Sequence, residues 1–522
     1  MTEKRKYGSY SVILHFSERD AIDTSGFTAL LDSVINQKLK VTKIIVLNHN
    51  KEILPEFAIE SSELVVLGCD IRRLAEALNR SLEEITSDFC VYIDNYDADV
   101  KLKYSYLETV DIGVCKYSNL GMLYADYNLI ENDQPREIRL LKHHHGRLRD
   151  NQDYGRAFLF STRALASVGN FDPAIKYQLM YDTRLKLSEK FEIVHIANKY
   201  AGALYDVFDQ GKDHNVFDYL LAGKEVQREA EKVLTEHLKR IGAYLKPGFN
   251  YHQRPDSDAE YEFIASVVIP VNNRPEFIVT ALNSVFNQTM KNIEVVVVVN
   301  GGMQDPTVEE VHKYQPGGSK YDANKPPVSL VVADINNIGL SLNLGIQRAR
   351  GKYYIQLDSD DRLKPNAVEK VVRLFESDPQ IGIVIGSYEV WQKLDDGTFV
   401  RMEEIPVVTH DEWTDDNGRN NLLHINGAGA PRCIPIAIIE ELNYFGINDE
   451  PYARNYGEDY DLVMKISEKY KVGRIYAPIY DVVRHSGGTD HCINQETIDR
   501  NDEAKDYMRL LAVQRRIQLN LQ

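Results

Sequence analysis

Cysteine is scarce in this 522-residue chain. The five residues, Cys69, Cys90, Cys115, Cys433 and Cys492, are scattered and form no CxxC pair. That spacing argues against a disulfide framework or a zinc site and for free thiols in a reducing cytosol. Positive charge is also short: 61 Lys and Arg stand against 78 Asp and Glu, a formal net charge of −17. A duplex nucleic-acid partner needs clustered cations to neutralise phosphates, so no nucleic acid is expected. Long apolar runs are missing as well. None approaches the roughly 18 residues of a membrane span, and MTEKRKYGSYSVILHF has no apolar signal-peptide stretch. The expectation is a cytoplasmic protein without a transmembrane segment, with peripheral contact at the inner face of a membrane and assembly as a homo-oligomer both left open.

What is present is an ordinary globular composition, 43% hydrophobic and 27% charged, in a chain long enough for two domains. The chain also repeats itself. SVILHF (11–16), ALLDSVINQ (29–37) and KIIVLN (43–48) are answered by SVVIPV (266–271), TALNSVFNQ (280–288) and VVVVVN (295–300). NRSLEEITSDFCVYID (79–94) parallels NLGIQRARGKYYIQLD (343–358), YDTRLKLSEKFEI parallels YDLVMKISEKYKV, and Tyr205-Asp206-Val207 parallels Tyr480-Asp481-Val482. Six matches in one order read as a duplication.

Between the halves, Val226, Ala230, Val233, Leu234 and Leu238 form one helical stripe, and Pro247-Gly248 marks its end. Each half alternates β-rich runs with helical patterns, which implies α/β units around a mostly parallel sheet. The runs Val267–Val271, Val295–Val299, Leu330–Ala333 and Tyr353–Leu357 are continuously apolar, as suits strands buried on both faces. Ligands in such sheets bind beyond the carboxyl ends of the strands.

Three polar groups stand at those ends: Pro270-Val271-Asn272-Asn273-Arg274, Asn300-Gly301-Gly302, and Asp358-Ser359-Asp360-Asp361. Three carboxylates in one cluster are costly without a cation, and a hard divalent ion is typically held by one or two carboxylates plus phosphates. Alternation along an extended segment would put Asp358 and Asp360 on one side and Asp361 on the other; the same residue types also populate turns and caps. Glu458-Asp459 opens an apolar-faced helix, either as acids suiting a helix start or as a general base. His485, in a Gly-rich loop, is a candidate metal ligand or a structural histidine, with His491 as the alternative.

Together SVVIPVNNRPEFIVTALNSVFNQT, VVVVNGG, YYIQLDSDD, GEDYDL and VVRHSGG resemble the inverting family 2 glycosyltransferases with the GT-A fold. The resemblance implies that Asp358 and Asp360 bind Mn²⁺ or Mg²⁺ and a donor diphosphate, with His485 as the late metal or diphosphate contact. It makes Asp459 the base, with Glu458 beside it, and places Pro270, Val271, Asn272 and Arg274 at the nucleotide base and ribose. Asn300, Ser359 and Asp361 complete the donor side. The family's uracil-reading Asp is replaced by Asn300, which weakens the case for a UDP-sugar as the favoured donor. The partners implied are a nucleotide-sugar donor and a glycan or glycoconjugate acceptor, in polysaccharide or glycoprotein glycan synthesis.

The expected organisation is a GT-A-like domain over 1–215, a helical linker over 216–260, a catalytic GT-A domain over 261–492 and a helical tail over 493–522. In the first half, alignment from Asn79 puts Tyr96 where Asp360 stands and Leu179-Met180 where Glu458-Asp459 stand. The counterpart of Arg484-His485 is Asp209-Gln210. That half therefore reads as non-catalytic, although a shifted register recruits Asp97-Ala98-Asp99 as a substitute metal motif. A two-site polymerase, a non-catalytic glycan-binding scaffold and a nucleotidyltransferase are the competing readings.

Overall fold

The computed structural model describes residues 8–50, 63–197, 202–208, 223–255, 260–411, 413–414, 417–425, 427, 429–447, 456–485 and 495–522. His491 and Asp209-Gln210 lie outside the described residues. The chain divides into two compact units, Met1–Ile241 and Gly242–Gln522. Both are α/β, in keeping with tandem GT-A-like folds.

In the first unit the main sheet runs Glu192–Ile196, Leu120–Ala125, Ala157–Ser161, Phe89–Ile93, Tyr10–Phe16, Lys43–Asn48, Glu63–Gly68. In the second, seven strands run Lys471–Arg484, Ile381–Lys393, Arg432–Pro435, Gly351–Gln356, Phe263–Val271, Ile293–Val299, Val328–Val332, with Arg362–Leu363 added beside the first and Phe399–Arg401 beside the second. These seven correspond to the seven of the first sheet in the same order. In each, one strand (Ala157–Ser161 or Arg432–Pro435) is antiparallel to both neighbours, and the other pairings in these series are parallel. Ile293–Val299 is buried at every position, as a β-branched strand covered on both faces should be.

The duplication extends to individual side chains. Gln37 and Gln288 donate to the carbonyls of Lys103 and Lys364 (2.9 and 2.8 Å) and accept from the amides of Leu107 and Val368 (3.0 and 3.1 Å). Lys103 pairs with Asp206 at 2.7 Å and Lys364 with Asp481 at 2.8 Å. Asn79 exchanges two hydrogen bonds with the backbone of Phe171, as Asn343 does with that of Phe445.

This correspondence revises one alignment. Leu102 pairs with Tyr205 as Leu363 pairs with Tyr480, yet eight positions separate Asp94 from Leu102 and only five separate Asp358 from Leu363. The first unit has a longer loop. Counted back from the leucines, Asp97-Ala98-Asp99 rather than Tyr96 stands opposite Asp358-Ser359-Asp360.

The helix foreseen between the halves is Lys224–Arg240, with Ala230, Val233, Leu234 and Leu238 buried. It packs on the helix Leu179–Ser188 of the first unit, and His237 Nδ1 lies 2.7 Å from the Glu189 carboxylate. The following segment belongs to the second unit, where the Arg254 guanidinium donates to the carbonyls of Phe375, Asp378 and Ile381. The C-terminal helix, Gln495–Leu521, packs against Glu458–Lys469. Its inner face mixes apolar Ala504, Met508, Ala512 and Val513 with fully buried Asp506, Arg509 and Arg516. No helix among the described residues is long and apolar enough to cross a membrane.

Candidate functional site

Parallel strands all end on one side, so the chain turns after Val271, Val299 and Gln356 gather on one rim of the second sheet. After the first strand, Asn273 takes a left-handed φ of 49° and donates its amide to Asp305 at 2.7 Å. Pro then starts the helix Pro275–Phe286, where a missing N–H costs nothing. This brings Arg274 over the rim, its guanidinium paired with Asp360. Pro270 and Val271 remain in the strand. Asn272 donates to the Asn300 side-chain oxygen, and the Asn300 side-chain amide donates to the Ser341 hydroxyl, both at 2.9 Å. The side chain of Asn300 therefore ties the end of Phe263–Val271 to the helix Ile338–Arg348.

Asp358–Asp361 forms a turn, closed by the Asp361 amide on the Asp358 carbonyl at 3.1 Å, rather than the extended run that alternation assumed. The three carboxylates consequently meet three sets of partners. Asp361 is buried and accepts from the Val483 amide at 2.8 Å. Burial, then Asp360 and Asp358, push its carboxyl well above the usual range. Asp360 faces Arg274 and also His485, whose Nε2 lies 3.0 Å from its Oδ2; the imidazole rests 4.3 Å from the Phe277 ring. Ser359 is buried between them in sequence. Asp358 accepts from the Gln356 amide at 3.2 Å, and its own amide donates to the Tyr480 hydroxyl at 3.1 Å. Burial raises its pKa, Arg432 opposes that shift, and Asp360 adds to it.

Arg432 is the residue that motif reading missed. It enters on the strand antiparallel to Gly351–Gln356, and only that pairing sets it beside the acids. Its Nε donates to Gln356 Oε1 at 3.2 Å, and Nη1 lies 3.2 Å from Asp459 Oδ2. A continuous polar chain thus runs from Asp358 through Gln356 and Arg432 to Asp459.

Glu458 and Asp459 open the helix Glu458–Lys469 behind Gly457, whose φ of 87° is left-handed. A side chain there would be strained and would press on Met508 of the C-terminal helix. Burial, then the adjacent Asp459, push Glu458 up to about 8, while Arg432 and Lys505 oppose the shift. Lys505, from the C-terminal helix, sits 4.4 Å from the ring centre of Tyr456 and 5.4 Å from that of Tyr460.

Among the described residues no three His, Cys, Asp or Glu side chains gather closely enough to hold a metal by themselves. The converging pair Asp360 and His485, with Asp358 on the same turn, still fits a divalent cation. Such ions are commonly held by one or two protein groups plus substrate phosphates.

Residues 266–422 match the profile of Glycosyl transferase family 2. The second unit thus carries a domain of that family, joined in the chain to an N-terminal Rossmann-like unit. Asp358–Asp361 fall within the matched span; Arg432, Asp459 and His485 lie beyond it. A glycosyltransferase of Haemophilus influenzae without assigned specificity is 29% identical over 163 residues, 31% of this chain and 45% of that protein. A chondroitin synthase of Pasteurella multocida is 32% identical over 195 residues, 34% of this chain and 18% of that one. The chain therefore spans less than half the length of either relative. A mannosyltransferase of Pyrobaculum calidifontis, solved with GDP-Man and Mn²⁺, is 15% identical with a TM-score of 0.33, covering 57% of this chain and 82% of the other.

Proposed function

We propose that the second unit transfers a sugar from a nucleotide-sugar donor to a hydroxyl of a glycan or glycoconjugate acceptor, with inversion at the anomeric carbon. The observation that carries this reading is the chain Asp358–Gln356–Arg432–Asp459, which joins a donor-side carboxylate to a helix-borne acid across one rim. In the proposed reaction the acceptor oxygen attacks the anomeric carbon while Asp459 takes its proton. The bond to the diphosphate breaks with its electron pair leaving on the diphosphate oxygen. Arg432 orients Asp459 through their 3.2 Å contact, and Glu458 borders the acceptor side. Asp360, His485 and Asp358 would hold Mn²⁺ or Mg²⁺, which when bound offsets the charge growing on the leaving group. Arg274 stands where it can meet a donor phosphate. The match to a chondroitin synthase supports a polysaccharide or glycoconjugate acceptor.

The test is a screen of UDP-, GDP-, CMP- and dTDP-sugars for thermal stabilisation with Mn²⁺, followed by a transfer assay. Stabilisation by one donor class, lost in Asp360→Asn, is expected. Asp459→Asn should retain it while transfer falls roughly 100- to 10,000-fold, the usual worth of a general base. Stabilisation by none of these donors in the wild type would sink the reading.

A further inference from the structure

The first unit carries the same kind of acid pair on the same rim, and its charges are arranged differently. Asp99 pairs with Arg19 at 2.8 Å, the counterpart of Asp360 with Arg274. Asp97 instead meets Arg156 at 2.6 Å, and the same nitrogen lies 3.7 Å from Asp94.

The register shows where this arginine comes from. Val91 pairs with Leu159 as Ile355 pairs with Cys433, so Phe158 stands at the place of Arg432, and Arg156 stands two residues earlier, opposite Ala430. The arginine here thus stands in the bend just before the strand Ala157–Ser161, beside the acidic loop, while Phe158 at the place of Arg432 stacks on Tyr92, ring centres 6.2 Å apart.

Arg156 is held firmly. Its amide donates to the buried Tyr205 hydroxyl at 2.8 Å, and its carbonyl accepts from the Asp94 amide at 2.8 Å. Gly155 before it has a φ of 81°, and any side chain there would collide with the Tyr205 hydroxyl. In the second unit Asp360 is approached by His485, whereas at the first unit's rim the described histidines His15 and His49 bond each other at 2.8 Å and pack around Tyr96.

We infer that Arg156 supplies, as part of the fold, the positive charge that Asp94 and Asp97 would otherwise draw from a divalent cation. The described residues of the first rim therefore do not fit a metal-held diphosphate. The inference rests on the first unit's own contacts and stands apart from the catalytic reading above.

Mn²⁺ uptake per full-length chain, followed by the electron paramagnetic resonance of free Mn²⁺, tests it. With Asp360→Asn/His485→Ala, uptake should disappear although Asp97 and Asp99 are intact. Adding Arg156→Gln to that chain should create one uptake site, and further adding Asp97→Asn should remove it. Mn²⁺ that remains bound in Asp360→Asn/His485→Ala and is released by Asp97→Asn would overturn the inference, and this arm does not depend on how Arg156→Gln folds. A folded Arg156→Gln chain that gains no uptake would overturn it equally. Absence of uptake in the wild type would count against the metal in the second unit alone, because the Arg156→Gln gain is read independently.

Discussion

The Arg432 guanidinium lies 3.2 Å from the Asp459 carboxylate, and both side chains are at least three-quarters shielded from solvent, with 15% and 21% exposure. Removing one member of such a pair leaves an uncompensated charge, so Arg432→Met should cost about 3 kcal/mol of stability. Urea unfolding would measure it. The double variant Arg432→Met/Asp459→Asn should recover part of that loss, and strictly additive losses would show that the two groups are not coupled.

Glu458 gives the site a pH signature. Its ordinary value of 4.5 is raised to about 8, chiefly by burial and next by Asp459. The folded chain then holds this proton more tightly than the unfolded chain. The stability it contributes is complete below about pH 4.5 and is lost as pH climbs through about 8. Glu458→Gln keeps a neutral group there. Melting temperatures across that window should decline less steeply in this variant than in the wild type, and parallel declines would contradict the assignment.

The C-terminal helix is a wall of the acid site. Arg509 is fully buried, pairs with fully buried Asp506, donates to the Tyr460 hydroxyl at 2.9 Å and donates to the Ile425 carbonyl at 2.7 Å. Arg509→Met removes the cation of this buried pair and should destabilise the second unit by about 3–5 kcal/mol. Chemical denaturation of the full chain should show the loss in the transition assigned to that unit.

Asp360 and His485 converge on one point, so each alone should matter for a cation. Asp360→Asn and His485→Ala should each weaken Mn²⁺ binding by at least roughly tenfold, the lower end for disturbing even a ligand's support. Calorimetric titration measures this. Unchanged affinity in both would move the metal away from this pair.

The duplication was legible in the chain itself because the repeated positions carry fixed jobs. Gln37 and Gln288 close the same two backbone bonds, and Asn79 and Asn343 lock the same loop. Such residues keep their identity and spacing where their backbone partners do. The loop after Asp94 was harder to place. Three extra residues shift its register, and linear alignment from one side alone sets Tyr96 against Asp360. The partners of Leu102 and Leu363 correct it, and those partners lie about a hundred residues away in sequence.

Sequence alone determined the strand and helix periods, the two α/β units, the acids at the strand ends and the acidic start of the helix Glu458–Lys469, because these are local patterns of polarity and turn chemistry. Tertiary structure decided which charges meet. Arg432, Arg156 and Lys505 carry no motif, since a guanidinium or an ammonium can reach any acid its fold brings near. The strand antiparallel to the acid strand delivers Arg432, the bend before its counterpart delivers Arg156, and packing of the last helix delivers the lysine. Local sequence encodes none of these, because all follow from contacts between segments far apart in the chain.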